Sequence, residues 1–260
     1  MIEWFESLPT AGSGLVVVGG FVLFTLLLGW VISKLAPNEI RIEHNDLAGF
    51  ILAVIGVVYA VLLAFVAIGV WERFQHAEVS AYEEAGSLLT VYRDADSFPN
   101  GHDLRLQIKS YVDDVISDEW PKMSVGSKSE VATEKLERID KQVRALHATS
   151  PALQDVQAQM LEAMEQALTD RELRLSEGAT GINSVMWAVL ILGAVLTVGF
   201  TYLFGFRHSI MQHLMIGALG AVIGLVLFLT IALDFPYRGA ISVSPEAFIS
   251  ARETFAVIGP

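Results

Sequence analysis

The chain has 260 residues, 53% of them hydrophobic, with no cysteine and a formal charge of −12. These figures exclude a disulfide framework and a thiolate metal site, and they leave no basic footprint for nucleic acid. The apolar residues fall in two pairs of runs around a charged middle, which is the pattern of an integral membrane protein.

The opening stretch, MIEWFESLPTAGSG, has no Lys or Arg and makes a poor signal peptide, so the first span is expected to be retained. That span is Leu15 to Ile32, with Trp30 where an aromatic belt would sit. A polar link with a Pro37-Asn38 turn signal follows. Residues 1–70 thus form an N-terminal transmembrane pair, with spans of about 15–35 and 47–70. The second span, Leu47 to Val70, has 24 residues without a charge, enough to cross a hydrocarbon core of about 30 Å as a helix. No Pro follows, and no Gly after Gly69 until Gly86. Trp71, Phe74, Ala81, Tyr82, Ala85, Leu88, Leu89 and Tyr92 recur at helical steps, so the pattern predicts one long helix that leaves the membrane and continues as an amphipathic helix in water.

Residues 71–182 read as a helical soluble domain, with 12 basic against 21 acidic residues. Ser97-Phe98-Pro99-Asn100-Gly101 ends the long helix. A helix is predicted from Asp103 to Trp120, closed by Pro121, then a loop at Val125 to Lys128. A third runs from Glu130 to Ala148, with Leu136, Ile139, Val143 and Leu146 as a narrow seam. Ser150-Pro151 starts a fourth, as N-cap and first position, and it extends to about Leu175 on a thin stripe of Leu153, Met160, Met164 and Leu168. Gly178 and Gly181 break it.

Residues 183–233 form a C-terminal transmembrane hairpin, with spans of about 184–206 and 210–233 joined by a tight link containing Arg207 and His208. The tail, 234–260, carries a short helix from Ser244 to Phe255. The fold class is therefore an all-α integral membrane protein, four transmembrane helices with a helical soluble domain between the second and third. No span holds a charged side chain, which weighs against a proton relay. Gly220 and Gly224 make a small-residue face, read first as packing within the chain and second as a subunit contact.

Candidate catalytic chemistry is thin. His44, His76, His102, His147, His208 and His213 share no metal-ligand spacing. Glu83-Glu84 and Asp113-Asp114 are read as solvated faces rather than acid–base pairs. There is no phosphate loop, zinc motif or nucleophile elbow. The expectation is a protein that is not an enzyme and carries no cofactor or metal.

Two stretches carry a resemblance. The run Ile55 to Phe65 followed by Trp71-Glu72-Arg73-Phe74 is similar to the second span of bestrophins, where an apolar run leads to an aromatic, a variable residue, Arg and another aromatic. Asp234-Phe235-Pro236-Tyr237-Arg238-Gly239 resembles the bestrophin turn after the fourth span. On these residues (Trp71, Arg73, Phe74, Asp234, Pro236, Tyr237 and Gly239) the chain is similar to the bacterial bestrophin-like domain family over nearly its whole length. The bestrophin positive and polar collar is replaced here by Val66-Ala67-Ile68, and the acidic calcium clasp of animal bestrophins is absent from the tail.

The resemblance implies a bestrophin-like ion channel in the bacterial inner membrane, a homo-pentamer in membrane lipid that conducts chloride or another small anion. By position, the pore neck would be Val57, Val61 and Phe65. It further implies that the middle domain and both termini are cytoplasmic. The Lys/Arg balance near the membrane leans the same way, with Lys34, Arg41 and Arg207 against Arg73, Arg171, Arg174, Arg238 and Arg252. The alternative is a non-conducting scaffold or sensor that binds a partner protein through the Leu136-Ile139-Val143-Leu146 seam.

Overall fold

A computed structural model describes residues 10–35, 45–204 and 209–259. The predicted turns at Pro37-Asn38 and Arg207-His208 lie outside them. The described residues form helices and no strand: α1 Thr10–Leu35, α2 Asn45–Asp94, α3 Gly101–Asp114, α4 Trp120–Ser124, α5 Glu130–Arg144, α6 Pro151–Ala179, α7 Ser184–Thr201, α8 Ser209–Leu233 and α9 Glu246–Ile258. Four of these, α1, α2, α7 and α8, are long and apolar enough to cross a membrane. The chain divides into two compact units. One is Met1–Glu72, Ile182–Asp234 and Gly239–Ile241; the other is Arg73–Gly181, Phe235–Arg238 and Ser242–Pro260.

In the first unit the spans pack through small residues. Gly220 leaves room for Thr25, and Gly224 lies against Val18 and Phe21, so the small-residue face of α8 is filled by α1 of the same chain. Phe228 covers Gly14, the Tyr59 ring lies over Gly193, and the Tyr202 ring over Gly29. The two tyrosines also satisfy their hydroxyls on backbone carbonyls: Tyr59 donates to Leu190 at 3.2 Å, and Tyr202 donates to Thr25. Close approach of this kind is how helices associate where lipid is as apolar as the side chains. α7 stops at Thr201, earlier than its apolar run predicts. There the Tyr202 N–H bonds back to Gly199, tightening the last turn.

The second unit is a helical bundle with an apolar core. α2 is one unbroken helix of 50 residues, as its lack of breakers predicts, and a 3₁₀ turn at Ala95–Ser97 ends it. Leu88, Tyr92, Ile108, Tyr111, Leu136, Ile139, Met160, Met164 and Phe248 are fully buried, each worth about 1.5–3 kcal/mol for a large apolar side chain. Ser129 and Ser150 cap α5 and α6, accepting from Ala132 at 3.2 Å and Leu153 at 3.3 Å.

Two sequence-based boundaries fail for identifiable reasons. Pro121 does not end a helix. Residues Val115–Glu119 form a π turn in which the Trp120 N–H bonds to Val115, so the chain widens just before the proline and carries its ring into α4. Gly178 does not break α6 either. It is a packing glycine: a Cβ there would come within 2.9 Å of the Tyr237 ring. α9 begins at Glu246 with Pro245 as its N-cap residue and runs on to Ile258.

Candidate functional site: the open face of α2

α2 has two sides. One is buried, through Tyr59, Leu63, Val66 and Val70 in the first unit and Ala77, Ala81, Glu84, Leu88 and Tyr92 in the second. The other carries Phe50, Val54, Val57, Val61, Phe65 and Ile68, all exposed in the single chain. Val57, Val61 and Phe65 are 64%, 50% and 71% exposed. They stand at i, i+4 and i+8, about 6 Å apart along the axis, so they form one apolar column. Val58, about 100° round the helix, is 66% exposed. Exposure does not single out the three, and Phe50, Val54 and Ile68 share their side of the helix; the choice among them comes from the resemblance. A column of this kind, repeated around an axis, would give an apolar constriction that gates by dewetting. Trp71 and Tyr82, placed by the sequence on the buried stripe, are instead about half exposed.

The motif residues hold backbone. Arg73 donates to the Thr180 carbonyl, and Phe74 packs on the edge of the bundle core. Asp234 accepts the Ile182 N–H at 2.6 Å. In the turn that follows, the Pro236 carbonyl accepts from Val243 at 2.8 Å, and the buried Tyr237 hydroxyl donates to Ala77 at 2.7 Å. Burial pushes the Tyr237 phenol well above its usual range. Gly239 has φ +76°, the left-handed conformation that a side chain would strain. The residues of this turn motif are thus structural.

The second unit contains a cluster that the sequence reading missed. Glu84 is fully buried, not on a solvated face. Its carboxylate receives the Arg174 guanidinium at 2.7 and 3.2 Å and the Tyr111 hydroxyl at 2.5 Å. Arg174 also donates to Glu119 at 2.7 Å, and Arg171 donates to the other Glu119 oxygen at 2.6 Å. Two acids and two bases close a neutral set. Burial works against the charge of Arg174, but Glu84 and Glu119 outweigh it and hold the guanidinium above its usual range. Burial, then the Glu84 carboxylate, pushes the Tyr111 phenol up. The signal lay in the register. Met160, Met164, Ala167, Arg171 and Arg174 continue one stripe of α6 at four- and three-residue steps.

Other expected surfaces close. Leu136, Ile139 and Val143 are buried within the unit, with Leu146 partly so, which removes the seam as a face for a partner. Glu83 and Asp113 are exposed, while Asp114 pairs with Lys135. His76, His102, His147 and His213 are exposed, and His44 and His208 lie outside the described residues. Arg171 and Arg174 are neutralised by buried carboxylates, and Arg252 faces Asp113 at 3.6 Å.

The model of the bestrophin-like domain family matches residues 19–248. No curated protein matches the chain. Among solved structures, a point variant of a bacterial bestrophin homologue from Klebsiella pneumoniae aligns with 91% of this chain and 96% of its own, at 14% identity and a TM-score of 0.64. A point variant of a membrane protein aligns with 90% and 96%, at 15% identity and a TM-score of 0.59. At such identity the likeness carries the fold.

Proposed function

We propose a pore formed by several copies of this chain, which belongs to the bestrophin-like domain family, a family of ion channels. The copies, five by the resemblance, turn the open face of α2 toward a common axis. Val57, Val61 and Phe65 make the neck. The observation that supports this reading is the exposure of that column on a helix whose opposite side is buried by its own chain. An unpartnered apolar column suits a membrane oligomer or a dewetting constriction. By the same resemblance, residues 71–182 and both termini face the cytoplasm. The resemblance implies chloride or another small anion as the permeant species, and the sign of that ion depends on the charges flanking the neck. A scaffold that binds partners through the α5 seam loses its surface, because the seam is core.

The test is ion flux from liposomes holding the purified protein. Phe65→Ala removes the largest ring of the neck, so flux should rise while the oligomer stays intact. Leu62→Ala, on the same helix but about 60° beyond Phe65, should leave flux unchanged. Flux unaltered by Phe65→Ala, Val61→Ala and Val57→Ala alike would remove the neck.

A further inference from the structure

We infer that Glu72 selects the sign of the permeating ion, and that the ion is a cation. The inference rests on the neck assignment of Val57, Val61 and Phe65. A helix turns about 100° per residue, which sets Val61, Phe65 and Ile68 at about 40°, 80° and 20° from Val57. Glu72 falls at about 60°, inside the arc of the neck and two turns beyond Phe65. Its side chain is exposed, and it makes no ion pair among the described residues.

The nearest cation in sequence is turned away from this arc. Arg73 lies about 100° further round, and its guanidinium is on the Thr180 carbonyl. Along the same side the next charge is Glu83, and the first Lys or Arg is Arg93, about 30 Å further along the helix. At the other end of the column Asp46 is also exposed, but it sits in the first turn of α2, where an acid complements the helix dipole. Glu72 lies in the middle of the helix and has no such role.

Repeated around the axis, Glu72 forms a ring of carboxylates at one mouth of a dry constriction. Low-dielectric walls focus that field. It concentrates cations where the ion must shed water and repels anions from the same point, which is how acidic rings select cations in channels. The anion implied by the resemblance would have to pass this ring.

The experiment measures reversal potential under a KCl gradient with the full-length protein in liposomes, alone and with Phe65→Ala. The wild type should prefer potassium. Glu72→Gln should bring the potassium-to-chloride permeability ratio several-fold toward unity, and Glu72→Lys should invert it, with the oligomer unchanged. An anion-selective wild type, or a cation preference that Glu72→Gln leaves intact, overturns the assignment of Glu72 and leaves the channel standing. A Glu72→Gln protein that dissociates places the residue in a subunit contact and overturns it too. Absence of flux from every protein, Phe65→Ala included, removes the neck and the inference with it.

Discussion

The four spans and the helical bundle solve the same packing problem in opposite ways. Between the spans there is no buried ion pair among the described residues; rings and methyls settle onto glycines, and hydroxyls find carbonyls. The bundle has a large apolar core and at its centre four charges in one closed set. The difference follows from the solvent. Lipid offers no hydrophobic drive for helix association, so contact distance decides. Water supplies that drive in the bundle, and the buried charges act on arrangement instead. Glu84 on α2, Glu119 in the π turn and two arginines on α6 are satisfied together only when those elements sit in one geometry.

Glu84→Ala should break the contrast most severely. It leaves Arg174 buried beside one carboxylate too few, at a cost of about 3–5 kcal/mol, read as a lower unfolding temperature in detergent. Removing both partners, Glu84→Gln with Arg174→Met, should recover a large part of that loss. An unchanged transition in Glu84→Ala would show that the cluster does not order the bundle.

Among the spans, the corresponding change is Gly193→Ala. Its Cβ would meet the Tyr59 ring at 2.5 Å, and the ring is tethered by its hydroxyl, so overpacking should cost about 1–3 kcal/mol. The cost should shrink in a Tyr59→Val background, as contacting sites couple. Equal losses in both backgrounds would dissociate the glycine from the ring.

The smallest effect concerns Asp170, whose carboxyl burial holds above its usual range against the hydrogen bond from Gln166. The folded chain keeps that proton at pH values where the unfolded chain has lost it, so stability falls as pH rises through the window between the two. Asp170→Asn should therefore be slightly more stable near neutral pH. The gain should vanish below the ordinary aspartate range, at about pH 3. Unfolding temperatures of both proteins across that range decide it; a variant advantage that grows on acidification contradicts the sign.

The spans, the long helix and the cap at Ser150 were legible because each is written within a few neighbouring residues. Val57, Val61 and Phe65 were singled out only through the resemblance, since every face of that helix is apolar. Glu84 was misread because an acid beside Glu83 looks solvated locally, and its partner Arg174 lies 90 positions away. Pro121 and Gly178 misled for a related reason. Each is a breaker by propensity, and each is overruled by a neighbour distant in sequence or by a turn type that propensity does not contain.

The wide turn at Val115–Glu119 sets the phase of the chain that follows it. One extra residue in the turn delays the helix by about 100°. With that delay Glu119 meets the arginines, and the Trp120 indole reaches the Val243 carbonyl at 3.1 Å. A segment one residue shorter would close as an ordinary α turn, and both contacts would rotate away at once. The bundle is thus keyed to the count of residues in this stretch as much as to their identity, so a single deletion here would be felt as a rotation and not as a lost side chain.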